Sequence, residues 1–256
     1  MRDSMKKSKT SGFGLIIIGN EILNGRRQDS HFATALKELS QRNLKLEFAL
    51  TIPDDVDTIQ QQLKWAFAGT VPFFCCGGIG ATPDDLTREC AAAAVGVCIE
   101  RHAVGEAILR KRWGVDATES RLRMIDFPAG SVLIPNPFNQ IPGFRLKQGH
   151  FLPGFPEMAH PMMRWILDSW YDPGLPTVRK TLVLPGASEA DLSGIMERFV
   201  AMYPDLSFSS LPRFVGTSTE LHLSIRGVSS EVDKGIEELK QMLGENGVEF
   251  HSAIKK

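Results

Sequence analysis

Hydrophobic and polar positions in the first two-thirds of the chain follow two alternating patterns. Phe13–Ile18 is a short β-branched run with no polar alternation, as in a strand covered on both faces. Ser30–Arg42 carries Phe32, Ala35, Leu36 and Leu39 at helical spacing. Leu44–Ile52 reads as a strand, Val56–Ala68 as a helix and Val71–Cys76 as a second buried strand. Pro83–Val95 is an Ala-rich helix and Val104–Trp113 another. Val132–Ile134 and Phe144–Leu152 are shorter strand candidates, and Pro156–Tyr171 closes the region as a helix. Strands alternating with helices of about 10–15 residues predict an α/β fold, a mostly parallel sheet with helices on both faces.

Asp172-Pro173-Gly174-Leu175-Pro176 breaks this pattern and reads as a linker. Beyond it the order is strand (Val178–Leu184), helix (Ala187–Met202), strand (Leu206–Ser210), strand (Thr219–Arg226), helix (Ser230–Gly244), strand (Val248–His251). That is the βαββαβ order of a small ferredoxin-like or KH-like α+β sandwich. The expected organisation is a flexible tail over residues 1–12, a first domain over 13–172 and a second over 177–256. Gly244-Glu245-Asn246-Gly247 is a GxxG, but it lies between a helix and a strand. A KH clamp lies between two helices, so RNA binding is not expected.

Composition narrows the classes. In 256 residues, Lys+Arg is 29 and Asp+Glu is 30, with 43% hydrophobic and 23% charged residues. These values are ordinary for globular chains and carry no global basic field for nucleic acid. The cysteines are Cys75, Cys76, Cys90 and Cys98, with no CxxC pair. They read as buried small hydrophobes in a reducing cytoplasm, with Cys75 and Cys76 on opposite faces of one strand. The basic N-terminal residues are followed by only a short apolar run, so neither a signal peptide nor a membrane span is expected. His150 and His160, flanking a Leu-Pro-Gly-Phe-Pro turn, read as partly buried structural histidines, and Trp165 and Trp170 as packing.

The candidate chemistry lies at strand ends. Gly77-Gly78-Ile79-Gly80-Ala81-Thr82-Pro83-Asp84-Asp85-Leu86-Thr87 follows a buried strand and opens a helix. One reading is a well-made helix start, with Thr82 as N-cap, Pro83 at the first helical position and Asp85 in a capping box. The other is a phosphate-binding turn at the carboxyl end of a strand. Two aspartates would repel a phosphate, so that second reading brings a divalent cation such as Mg²⁺ with it. Glu21 follows the first strand, Asp54 the second and Asp85 the third, which places all three carboxylates at one crevice. Neither a P-loop nor a dinucleotide fingerprint is present.

Gly-x-Glu after the first strand, Pro-Asp after the second and then GGxGxTxDDLT resembles the molybdopterin-binding (MoaB/Mog-like) domain family over about 13–171. The GGIGATPDDLTRE stretch and the later NP…PGF and LPGFP segments are most similar to its CinA (competence/damage-inducible protein A) branch. The C-terminal βαββαβ segment is similar to that branch's second domain, and the branch's amidase domain has no counterpart. The resemblance implies a crevice that binds ADP-ribose and, with a divalent metal, cleaves its pyrophosphate. Asp85, Asp54 and Glu21 are the implied catalytic residues, and Asp85, Glu21 and Asp84 the implied metal ligands. Gly77, Gly78, Gly80, Thr82, Asp29, Ser30, Asn136, Pro142, Gly143, Pro153 and Gly154 are the implied substrate contacts.

Two alternatives stand beside this reading. One is molybdopterin binding or adenylylation in molybdenum cofactor biosynthesis. The other is a nucleotide-binding module without chemistry, motivated by Asn139, Gln140 and Ile141, which stand where the resembled loop carries small residues. Expected partners are a small-molecule nucleotide or pterin and a second copy of the chain in a homodimer, with no nucleic acid and no membrane.

Overall fold

Seven consecutive buried residues form the first strand, β1 (Gly12–Ile18). It runs through the middle of a sheet whose two faces are both covered, so neither parity of side chain meets water. The computed structural model describes residues 7–216 and 218–253. The chain divides into two compact units, Met1–Gly174 and Leu175–Lys256.

After β1 the first unit continues with α1 (Asn20–Leu23), α2 (His31–Ser40), β2 (Lys45–Ile52), α3 (Val56–Ala68), β3 (Phe73–Cys76) and α4 (Thr87–Val95). Next come β4 (Ile99–Arg101), α5 (Ala103–Trp113), α6 (Glu119–Leu122), β5 (Asp126–Pro128) and β6 (Val132–Ile134). The unit closes with β7 (Gly143–Leu146), β8 (Gly149–Leu152) and α7 (Pro156–Trp170). The main sheet has the order β2-β1-β3-β8-β7-β6. β2, β1, β3 and β8 are parallel, and β7 runs antiparallel to both its neighbours.

Alternate residues of each strand feed two separate cores. Ile16, Ile18 and Cys75 pack with Ile59 and Leu63 of α3 and with Cys90 and Ala91 of α4. Leu15, Ile17 and Cys76 pack with Ala35 and Leu39 of α2 and with Met163 and Ile166 of α7. Cys75 and Cys76 thus lie on opposite faces, as adjacent strand residues must.

Several expectations change. The span Phe144–Leu152 is not one strand but the β7–β8 hairpin, turned at Lys147 in the left-handed region (φ 49°). The helix expected from Pro83 starts at Thr87, and Thr82 is not its N-cap. Residues 81–86 form a separate turn in which Asp85 accepts from Thr82. β4, β5 and α6 carried no sequence signal, because three- and four-residue elements are too short to show a period. Of the expected tail, residues 1–6 lie outside the described residues. From Ser8 onward the chain is tied down, since Ser8 N–H donates to Trp170 C=O and its own C=O accepts from Asp172 N–H.

In the second unit the elements are β9 (Val178–Pro185), α8 (Glu189–Met202), β10 (Ser207–Val215), β11 (Ser218–Gly227), α9 (Ser229–Glu245) and β12 (His251–Ser252). Its antiparallel sheet has the order β10-β11-β9-β12, the split βαβ arrangement of ferredoxin-like sandwiches. Leu184, Phe199, Leu223 and Leu239 are fully buried in its core. The last strand is shorter and later than Val248–His251. No helix among the described residues is long and apolar enough to cross a membrane.

His150 on β8 is a fully buried polar group of the first unit, at 0% exposure. Its Nδ1 lies 3.1 Å from Phe73 C=O, which can only accept, so Nδ1 carries the proton. Nε2 then accepts from the Tyr171 hydroxyl at 3.2 Å. Burial pushes the His150 pKa down to about 3. An unfolded histidine takes up its proton near pH 6.5 while this one stays neutral. Folding stability is therefore complete above that pH and falls as pH drops, by about 1.4 kcal/mol per pH unit for this group, until about pH 3. Urea denaturation of His150→Gln between pH 6.5 and 4 is expected to show a shallower loss than the unsubstituted chain. Equal slopes would remove His150 as the cause.

Candidate functional site

β1 and β3 are neighbours in the sheet, but the chain leaves β1 for β2 on one side and returns to β3 on the other. This is a topological switch point, where open α/β sheets place ligands at the carboxyl ends of their strands. A crevice of about 410 Å³ opens there. It falls in the size range of small-molecule sites, about 300–1,000 Å³.

The crevice floor is built by close backbone approach. Gly77 has φ 111°, and a Cβ there would lie 2.2 Å from Ile18 C=O at the end of β1. On its other side Gly154 lies close enough that a Cβ on it would sit 3.4 Å from Gly77 Cα. Gly77 N–H donates to Leu152 C=O at 3.0 Å. Gly78 has φ 67°. The buried Thr87 pins the turn, its hydroxyl donating to Gly77 C=O at 2.9 Å and its N–H to Gly78 C=O at 3.0 Å. The N–H groups of Gly78, Ile79, Gly80 and Ala81 are not spent on any other described residue, so they are free to donate to a ligand.

Carboxylates surround this floor. Glu21, Asp54, Asp84 and Asp85 all line the crevice. Asp54 Oδ2 accepts from Asn20 N–H at 2.7 Å, which ties the β2–α3 loop to the start of α1. Asp85 Oδ2 accepts from the N–H of Thr82 at 2.9 Å and from its hydroxyl. Gly19 and Gly80 are the positions over which the Glu21 and Asp85 carboxylates fold, since a Cβ would meet them at 2.8 and 2.5 Å. Hydrogen bonding within the Thr82–Asp85 turn holds the Asp84 carboxyl below its ordinary value, so Asp84 is an anion at neutral pH. The lining also carries apolar Met124, Ile141, Pro142, Pro153, Phe155 and Met158.

These carboxylates fit a lightly held divalent cation rather than a cage. Among the described residues no three His, Cys, Asp or Glu side chains are grouped to hold a metal ion. Asp54 and Asp85 each have one oxygen engaged by a donor, and the other oxygens remain open. Mg²⁺ commonly takes only one or two carboxylates and completes its shell with substrate phosphates and water.

A model of the probable molybdopterin binding domain family matches residues 14–177. The chain belongs to this family. A protein of Pyrobaculum arsenaticum is 29% identical over 230 residues, covering 84% of this chain and 85% of that protein. A CinA-like protein of Citrifermentans bemidjiense is 29% identical over 243 residues, or 90% of this chain. The match spans only 57% of that relative's length. The crystal structure of the protein CinA, with unknown function, from Thermoplasma acidophilum is similar with a TM-score of 0.56 and 26% identity, covering 61% of this chain and 97% of that one.

Within this family member, eleven residues singled out from the sequence line the crevice together. They are Glu21, Asp54, Gly77, Gly78, Gly80, Thr82, Asp84, Asp85, Pro142, Pro153 and Gly154. Four others lie outside the lining. Asp29 accepts from His31 and Phe32 N–H groups and so starts α2. Ser30 is the N-cap residue of α2 and makes no side-chain capping bond. Asn136 is buried and shapes its loop through Asn139, Ile141 and Phe138. Gly143 opens β7, where a Cβ would lie 2.4 Å from Phe151 C=O.

Arg27, Phe155, Met124 and Asn139 line the crevice but were missed by sequence reasoning. Asn139 had been noted only as a departure from the resembled loop. Phe155 lies in the Leu-Pro-Gly-Phe-Pro segment and Asn139 in the Asn136–Phe144 loop, Met124 sits in no motif, and Arg27 lies in the same strand-end segment as Glu21 and Asp29.

His31 and His160 lie behind the crevice wall. His31 Nε2 is 3.2 Å from Gly154 C=O, which links α2 to the turn before α7. The two imidazoles meet edge to face at 5.2 Å between ring centroids. Burial holds both below the usual histidine pKa, and His31 lowers that of His160 further.

Gly77→Ala is expected to destabilise the first unit by well over the ~1–2 kcal/mol of a left-handed non-glycine residue, because its Cβ has no room beside Ile18. Gly25→Ala, at φ 75° with nothing within 4 Å, should lose only that conformational amount. Urea titrations of the two variants read the difference. Similar losses would mean that the close approach at Gly77 carries no energetic weight.

Proposed function

We propose that the crevice binds a phosphorylated nucleotide and, with a divalent cation, hydrolyses its pyrophosphate, ADP-ribose being the favoured substrate. The observation that carries this reading is the juxtaposition of the unspent glycine-turn N–H groups with Glu21, Asp54, Asp84 and Asp85 in one cavity. The N–H groups suit phosphate oxygens, while bare carboxylates repel them. One or two of Glu21, Asp84 and Asp85 would hold the cation, with substrate phosphates and water completing its shell, and it would neutralise the phosphates and polarise a P–O bond. Asp54, anchored by Asn20, and Asp85, anchored by Thr82, orient a water and take its proton. The water oxygen attacks one phosphorus, the bridging P–O bond breaks, and AMP and ribose 5-phosphate leave.

A second reading has a specific support. The family is described as a probable molybdopterin binding domain, and the apolar lining of Met124, Ile141, Phe155 and Met158 suits a planar ring such as a pterin. In that reading the same turn holds the pterin's phosphate, and the protein binds the compound or adenylylates it.

AMP release from ADP-ribose should require added Mg²⁺ or Mn²⁺ and should fall about 10²–10⁴-fold in Asp85→Asn. Chromatographic assay of AMP reads this outcome. Full activity in that variant would remove Asp85 from the mechanism. Absence of turnover together with pterin fluorescence in the purified protein would favour the second reading.

A further inference from the structure

The crevice is lined by four carboxylates and a single guanidinium, that of Arg27. Arg27 sits in the turn between α1 and α2, where its N–H donates to Glu21 C=O at 2.9 Å. Its side chain does not join the carboxylates across the cavity. The guanidinium instead lies over the Phe155 ring, 5.2 Å from the centroid. Among the described residues no carboxylate lies within 4.0 Å of it. Phe155 itself is 54% exposed, at the N-cap of α7.

A guanidinium carries all its N–H donors in its own plane, and no described carboxylate engages those of Arg27. Such a fork matches two phosphate oxygens. Arg27 is the one cationic side chain in this lining, which otherwise sets backbone N–H groups beside four carboxylates. We propose that Arg27 is the residue that recognises the ligand's phosphate, seated for that role by Phe155. The ligand class follows as a phosphate monoester or pyrophosphate joined to a planar ring. The phosphate meets the Arg27 edge, and the ring meets the apolar lining residues. This inference rests on the reading of the crevice as a site for phosphorylated ligands, and it adds the residue that selects for the phosphate.

Calorimetry with AMP and with adenosine, both in the presence of Mg²⁺, tests it, since AMP has no pyrophosphate to cleave. Arg27→Gln should weaken AMP binding by about 10–100-fold, the range of a lost hydrogen bond to a charged group, and leave adenosine binding unchanged. Arg27→Lys should recover only part of the loss, because an ammonium lacks the planar fork. Phe155→Leu should weaken AMP less than Arg27→Gln does. If the unsubstituted chain binds AMP and Arg27→Gln binds it equally well, the Arg27 assignment falls and the crevice reading stands. Equal weakening of AMP and adenosine would make Arg27 structural and also overturn the assignment. If the unsubstituted chain binds neither AMP, ADP-ribose nor inorganic pyrophosphate, both readings fall.

Discussion

One close approach sets the geometry of the first unit's working end. Where β1, β3 and β8 finish side by side, the backbone at Gly77 passes so near the Ile18 carbonyl that no Cβ fits, and Gly154 presses on it from the other side. Parallel strands about 4.8 Å apart leave this little room when their turns leave the sheet together. The result is a floor made of backbone, in a turn whose Gly78, Ile79, Gly80 and Ala81 N–H groups bond no other described residue. Thr87 secures that turn through two bonds to Gly77 and Gly78, so the first residue of α4 is also its clasp.

Around this floor the charge is unevenly spread. The acids come from the ends of β1 and β2 and from the turn after β3, each carboxylate positioned by a neighbouring donor or by a glycine that yields space to it. Asp54 and Asp85 are held by Asn20 and Thr82. The apolar lining and the guanidinium come from other segments, chiefly the loop before β7, the turn before α7 and the turn before α2.

Behind the crevice, the histidines are neutral for a shared reason. Burial is the leading cause of the lowered pKa of each, complete at His150 and only partial at His160. Their role is to satisfy backbone carbonyls or hydroxyls inside the unit: Phe73 and Tyr171 for His150, Gly154 for His31, Thr34 for His160. The reading of His150 and His160 as structural residues agrees with these bonds, although His150 is more deeply buried than expected.

The sequence alone determined the β1, β2 and β3 strands, the major helices and the order of elements in the second unit. Those elements are long or strongly periodic, and apolar runs covered on both faces leave a clear mark. It also placed the glycine turn and the acids at strand ends, because parallel βα units send successive turns to one edge of the sheet. Tertiary structure decided the rest. The β7–β8 reversal depends on Lys147 adopting a left-handed conformation within an otherwise strand-like stretch. The true start of α4 depends on Thr87 meeting Gly77 and Gly78, a contact that capping signals at Thr82–Asp85 cannot reveal. Asn136 and Gly143, which looked like ligand contacts, are used in loop shape and packing. Arg27 and Phe155 are far apart in sequence, and only the folded chain brings the cation over the ring. Local signals thus specify elements, whereas contacts between distant turns determine which side chains face the crevice.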